Sequence, residues 1–240
     1  IRDSIAPFSW RGWWDYGTGA LGDMACHIMD LGYWAMDARS PRSVRATQSG
    51  ATDLSPPINS VLTWDFDATA YSSSDGFTFH WYDGYVDATF DRENWRLEKK
   101  SNEYNHPGRD VLGDVDFSKY GSVVIGDEGK LFFNRGKDNW ELQSDRSKED
   151  FRSVPQAIAR ASGQDPYREW LDAINGKVEQ AESHFGHSGP MTETILLGVI
   201  AQRNPDQKLV YDSESMSIQG RRDLDRLIRR DYRDGWDAPA

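Results

Sequence analysis

Asp23 and His27 carry the strongest chemical signal in the sequence, because they stand four positions apart in a segment whose pattern is helical. On a helix that spacing stacks two side chains on one face, one turn apart. A carboxylate so placed can accept a hydrogen bond from the imidazole and fix the ring for proton transfer, the arrangement that general acid–base chemistry needs. The same pair also occurs as a solvated ion pair, and both residue types ligate metals. One pair supplies too few ligands, however, and no HExxH or cysteine cluster completes a centre, so no metal site is expected. Asp30, seven residues after Asp23, extends the polar set as a candidate substrate contact.

A second candidate group precedes the helix. Trp10, Arg11, Trp13 and Trp14 crowd into five residues. Indole faces stack on the C–H groups of a sugar ring while a guanidinium takes its hydroxyls, so Arg11, Trp13 and Trp14 are expected to bind substrate. The alternative is that the tryptophans plug the edge of the core. Further along, His184 and His187 lie in ESHFGHSGP, read as a glycine-rich loop. Capping and turn roles fit both, and His187, near a helix start, is also a candidate substrate contact. His80 reads as a sheet-face residue, and His106 has no evident partner.

Gly17, Gly19 and Gly22 match the G-x-G-x-x-G spacing of a dinucleotide fingerprint. The context opposes it: the preceding FSWRGWWDY is aromatic and charged rather than a Val/Ile strand, and Asp15 and Asp23 would crowd a pyrophosphate. The glycines are read instead as a tight turn that lets backbone approach a ligand.

The elements that must position these residues follow from periodicity. Leu21, Met24, Ala25, Ile28, Met29, Gly32, Tyr33 and Met36 recur at steps of three and four, a buried helix stripe that begins at Thr18 or Gly19. Pro41 breaks that pattern. Strands are expected at Ser43 to Ser49, Asn59 to Phe66 and Phe77 to Tyr82, with a polar hairpin connection over Ala70 to Gly76. Asp91 to Tyr120 lacks periodicity and reads as a long loop or insertion. Ser122 to Gly126 and Lys130 to Asn134 should pair across Asp127 to Gly129, with Trp140 to Leu142 as a short edge strand and a charged connection over Ser144 to Asp150.

The last third is predicted helical. Val154 to Ala161 is a short helix, Asp165 to Ile174 turns Tyr167, Trp170, Leu171 and Ile174 inward, and Gly176 ends it. Met191 to Gln202 is almost continuously apolar and should lie buried against the sheet. Leu209 to Tyr211 adds a strand, and Arg221 to Tyr232 is expected as a basic surface helix. The predicted fold class is α+β, an open, predominantly antiparallel sheet with helices packed on one face. With no linker-like break, all 240 residues are expected to form one domain.

Composition narrows the function classes. A net charge of −11 disfavours nonspecific binding to nucleic acid or to an anionic membrane, and neither partner is expected. Ten Trp, ten Tyr and ten Phe compensate for a modest 38% of hydrophobic residues, and the aromatic share suits a carbohydrate-binding protein. Cys26 is the only cysteine, so no internal disulfide can form, and its place in the apolar helix suits a small core residue. No run of 18 apolar residues occurs, and residues 1 to 9 lack a signal-peptide core, so any export signal would lie upstream.

WRGWWDYGTGALGDMACHIMD resembles the start of the C-terminal domain in the family of glucose–fructose oxidoreductase, inositol dehydrogenase and MocA proteins, in its bacterial-type branch. TETILLGVIAQRNPDQKLVYDSESM and LIRRDYRDGW resemble its end, and HWYDG and GSVVIGDEGKLFF resemble strands of its sheet. The likeness spans nearly the whole chain. It implies that the D-x-x-x-H pair, here Asp23 and His27, faces a nicotinamide from NAD or NADP, and that Tyr82 and Asp83 approach the substrate. It also implies a subunit contact through the free sheet face, hence a dimer or tetramer, and a soluble bacterial protein of cytoplasm or periplasm.

Full members of that family begin with a nucleotide-binding Rossmann domain and carry a Glu-Lys-Pro motif whose lysine polarises the substrate hydroxyl. Neither occurs here, since Glu98 and Lys99 are followed by Lys100 in a charged run. The expected function is therefore that of the substrate domain of an NAD(P)-dependent oxidoreductase acting on a sugar, polyol or glycoside, inactive without its upstream domain. Alternatives are a noncatalytic carbohydrate-binding or assembly module, and an NAD-assisted glycoside hydrolase or lyase.

Overall fold

The computed structural model describes residues 8–91, 96–134, 140–145, 155, 165–229 and 232–236. They form an α+β protein built on a five-stranded sheet, antiparallel at every pairing, in the order β10-β9-β1-β2-β3. Its strands are β1 (Ser43–Ser49), β2 (Asn59–Phe66), β3 (Phe77–Asp83), β9 (Lys208–Asp212) and β10 (Ser217–Ile218). The first three lie where alternation predicts them. In β2, Ser60, Leu62, Trp64 and Phe66 are buried while their neighbours are half-buried, the period-two signature of a sheet with one covered face. The register sets Val44 opposite Trp64, Ala46 opposite Leu62, Leu62 opposite Trp81 and Val44 opposite Leu209, so the covered face is continuous across four strands.

That face is covered by α1 (Gly19–Ile28) and α2 (Asp30–Ala35) together with the long α5 (Phe185–Gln202). Leu21, Ala25, Met29 and Tyr33, four residues apart, are buried along α1 and α2. Met29 keeps right-handed helical angles between the two helices, so they run as one helical segment. On the opposite sheet face Arg45, Thr47, Thr78, His80 and Lys208 are exposed, and Lys208 Nζ lies 2.8 Å from Asp65 Oδ2.

Two smaller sheets extend from this body. β4 (Ala88–Asp91) pairs with β5 (Arg96–Lys99), and β6 (Ser122–Gly126), β7 (Gly129–Phe133) and β8 (Trp140–Ser144) form a three-stranded meander. The polar stretch from Asp91 to Tyr120, read as a long loop or insertion, therefore contains β5 and the short helix α3 (Arg109–Leu112), since four-residue elements are too brief to show a period.

Three other expectations are corrected. Helix α4 (Pro166–Ile174) begins where the Asp165 cap predicts, with Asp165 Oδ1 accepting from the amides of Tyr167 and Arg168, and Gly176 beyond its end has φ +68°. Its apolar side chains, however, are outward: Tyr167, Trp170, Leu171 and Ile174 are all exposed, because among the described residues no core element packs against this helix. The segment around His184 and His187 is the first two turns of α5 rather than a loop. Among the described residues the C-terminal helical stretch is a 3-10 turn at Arg222–Leu224 and one α turn, α6 (Asp225–Ile228). The predicted helix over Val154 to Ala161 and most of the connection over Ser144 to Asp150 lie outside the described residues.

Helix α5 is packed most tightly onto the sheet at Trp64. Trp64 is fully buried and its Nε1 donates to the Thr194 carbonyl at 2.9 Å, while Gly198 one turn later leaves room for the indole. A methyl group on Gly198 would stand 2.6 Å from Trp64 Cζ2 and 2.9 Å from Leu62 Cδ2. In an exposed helix Gly to Ala is stabilising by up to about 1 kcal/mol. Here overpacking outweighs that gain, and Gly198→Ala is expected to lower unfolding stability by about 1–3 kcal/mol in a denaturant titration followed by circular dichroism. An unchanged or higher midpoint would show that the Trp64 contact is loose.

Candidate active site

The face of α1 and α2 turned away from the core carries Asp23, His27, Asp30, Leu31 and Trp34, all exposed. Asp23 and His27 thus share an outward face as their spacing requires, but the imidazole is not the partner of the Asp23 carboxylate. That partner is Arg11, whose Nε lies 3.3 Å from Asp23 Oδ1 as an ion pair without hydrogen-bond alignment. Among the described residues no hydrogen bond joins Asp23 to His27, although the two share one face. The physical reason is reach: the 3-10 turn at Ser9–Gly12 sets a guanidinium beside Asp23, and an ion pair with a permanently charged group displaces a weaker contact with imidazole.

The histidine–carboxylate hydrogen bond of this face is one turn further on. His187 Nε2 lies 2.7 Å from Asp30 Oδ1, joining residues 157 positions apart, and the His187 side chain keeps only 17% of its exposure. The bond exists because α5 starts six residues before Met191, early enough to place His187 over α2. The ring meets Tyr33 edge to face, with centroids 6.0 Å apart. Tyr33 donates to the Arg39 carbonyl at 2.7 Å, and burial pushes its phenol up to about 12, so it stays neutral and acts as a fixed wall. Pro190 shapes the same region. It has no amide hydrogen, so the Gly186 carbonyl is released from the helix ladder and accepts instead from Arg39 Nη1 at 3.0 Å.

The aromatic cluster divides into two roles. Trp14 is a structural plug: half-buried against the core, it donates from Nε1 to the Thr52 carbonyl at 3.0 Å, with the Arg203 guanidinium over its ring. Of the two roles the sequence left open for Trp14, these contacts are those of the core-edge plug. Arg11 is also largely committed, since besides Asp23 it donates from Nη1 to the Phe8 carbonyl and stacks 3.8 Å from the Phe8 ring centroid. Trp13 is half-buried beside them.

Tyr82 and Asp83, at the end of β3, are separated by the sheet itself. Tyr82 projects to the open face, near His80. Asp83 turns to the covered face and accepts from Ser60 Oγ at 2.8 Å and Trp81 Nε1 at 2.9 Å, while Ser60 Oγ accepts in turn from Gln202 Nε2 at 2.8 Å. Asp83 is therefore engaged in an interior network, while Tyr82 stands on the other face of the strand. His80 bonds the hydroxyls of Thr63 and Thr78 through its two ring nitrogens, and burial lowers its pKa.

The glycine turn is packed by the protein itself. Gly19 has φ +68° and backs onto Pro56, and Gly17 lies against the Arg11 backbone. No pyrophosphate cradle is formed, and the close approach that the glycines permit is to the chain's own atoms rather than to a ligand. Among the described residues no group of three or more His, Cys, Asp or Glu side chains could hold a metal. No helix among them is long and apolar enough to cross a membrane.

The site offers an exposed imidazole at His27, carboxylates at Asp23 and Asp30 and a mostly buried imidazole at His187, on a helix whose other side is locked into the core. Trp34 was missed by the sequence reading. Its signal was present, since position 34 falls off the apolar stripe and in line with His27 and Asp30.

Burial raises the pKa of Asp83 against the lowering effect of its Trp81 and Ser60 hydrogen bonds. A carboxyl whose pKa rises on folding binds its proton more tightly in the folded state. Stability should then fall as pH climbs from the ordinary carboxylate range through the raised value, and level off above it. Asp83→Asn, with the same shape, should flatten that slope in urea midpoints taken between about pH 4 and 8; an unchanged slope would assign it to other groups.

No protein-family model matches this chain, and no curated protein does, so the chemistry of the site is argued from its own residues.

Proposed function

We propose that this chain is the substrate-handling domain of an NAD(P)-dependent oxidoreductase that acts on a sugar, polyol or glycoside, in the manner of the glucose–fructose oxidoreductase, inositol dehydrogenase and MocA family that its sequence resembles. The observation that carries the reading is the outward face of α1 and α2. It presents His27 between two carboxylates, Asp23 and Asp30, on a helix whose inner face is fully engaged. A catalytic group needs this combination of access and a rigid base.

In this reading the nucleotide is held by a separate Rossmann domain, because the glycine turn of this chain is packed by its own backbone and side chains. The nicotinamide, when bound, supplies the hydride acceptor. The chain's own residues do the rest. His27 takes the proton from the substrate hydroxyl that is being oxidised. Asp23, held by Arg11 one turn away, places negative charge beside the imidazolium as it forms. Asp30, fixed by His187, accepts a neighbouring hydroxyl and sets the ring's orientation. A neutral, hydroxyl-rich substrate suits a chain of net charge −11. The polar open sheet face is the proposed contact between subunits of a dimer or tetramer.

A noncatalytic carbohydrate-binding module is the second reading, favoured by the absence of an Asp23–His27 hydrogen bond among the described residues. The two readings part in one assay. In the complete protein, a panel of sugars, polyols and glycosides should include one that reduces nicotinamide, read by absorbance, and His27→Ala should lower that turnover by about two to four orders of magnitude. Undiminished turnover in the variant removes His27 from the chemistry. Sugar binding with no nicotinamide reduction by any panel member would favour the binding module.

A further inference from the structure

Beside the His187–Asp30 bond lies a cleft of about 130 Å³, lined by Trp34, Asp37, Arg39, Glu182, His184 and His187, with Tyr33 as its inner wall. We propose that this cleft is a second carbohydrate subsite, which takes the neighbouring ring of a glycoside or disaccharide whose reacting ring sits at His27. The inference rests on the oxidoreductase reading for the identity of the first ring and names a substrate class that the reading leaves open.

The lining determines what fits. Gly186 donates its amide to His184 Nδ1 at 3.0 Å, so the neutral ring carries its hydrogen on Nε2 as a donor. His187 uses Nε2 on Asp30, which leaves Nδ1 of the neutral ring as an acceptor. Arg39 gives Nη1 to Gly186 and Nη2 to Asp37 Oδ1, and retains further N–H donors. Asp37 and Glu182 bring carboxylate acceptors, and Trp34 brings an indole that is 43% exposed. The lining therefore brings donors, acceptors and an indole together, the combination that a pyranose with hydroxyls at its rim and C–H groups on its faces requires.

Other ligand classes fit less well. Two carboxylates oppose an anion, and the only guanidinium of the cleft is already paired with one of them. A purely apolar group would leave charged side chains desolvated.

Two features connect the cleft to the reacting face and suggest it is built for a purpose. His187 belongs to both, bonded to Asp30 on one side and lining the cleft on the other. Trp34 follows His27 by seven residues along a nearly continuous helical segment, roughly 10 Å of rise, a separation that two linked rings can bridge. Asp37 takes φ +47°, the left-handed position just after a helix end where glycine is the unstrained choice.

That backbone makes the test clean. Asp37→Gly suits the left-handed angle, so it removes the carboxylate while keeping or raising the melting temperature. Calorimetric titration of the full protein with glucose, cellobiose, maltose and trehalose is expected to show one disaccharide binding more tightly than glucose. Asp37→Gly and Trp34→Ala should each weaken that disaccharide about tenfold, the loss of one or two good contacts, and Asp37→Gly should change glucose affinity less than about twofold. Equal binding of glucose and all three disaccharides, untouched by either variant, overturns the subsite and leaves the oxidoreductase reading standing. Binding of no sugar also overturns the subsite, while the nicotinamide assay judges the reaction separately.

Discussion

The contact on which this structure depends is the closure of α5 onto the sheet at Trp64. The indole is buried without remainder, gives its one hydrogen to the Thr194 carbonyl, and fits only because Gly198 has no side chain. Leu21 and Leu62 meet at the same glycine, so the first helix and the second strand are registered by the same packing. Interiors packed to crystal density transmit position. With α5 fixed, His187 is carried to Asp30 and Arg39 is brought to the carbonyl that Pro190 leaves open. The polar face is thus held by an apolar anchor on the other side of the same helices.

A second strut reinforces the first. Glu193 accepts from Tyr211 Oη and from Ser40 Oγ, tying α5 both to β9 and to the turn that follows α2. The desolvation of Tyr211 and its bond to the Glu193 carboxylate push the phenol well above its ordinary range, so the bond keeps its proton at all working pH values. The turn between Met36 and Arg42 is thereby gripped at Tyr33 and Ser40, and its Asp37 and Arg39 side chains are presented to the cleft. Rigid support of this kind is what separates a polar site from an ordinary wet surface.

Much of the scaffold was legible from local pattern. The buried stripe of α1 and α2 and the strands β1, β2 and β3 each follow from periods that one element displays by itself. The failures share a cause. The apolar residues of α4 have the spacing of a buried face, yet burial depends on what stands opposite, and among the described residues nothing in the core does. Strands β4 and β5 are four residues each, below the length at which a period emerges. Trp14 and Asp83 have the chemistry of ligand contacts, but the packing around Thr52 and Ser60 claims them for the interior.

What the amino-acid order alone determined is the face on which chemistry can occur, since i, i+4 spacing commits Asp23 and His27 to one side of a helix whatever surrounds it. Tertiary structure decided the partners. Arg11 rather than His27 holds Asp23, and His187, 157 residues away, holds Asp30. Hydrogen bonds and ion pairs go to whichever complementary group the packed chain brings within about 3 Å, and that choice is made by the docking of α5, which no spacing within α1 and α2 can encode.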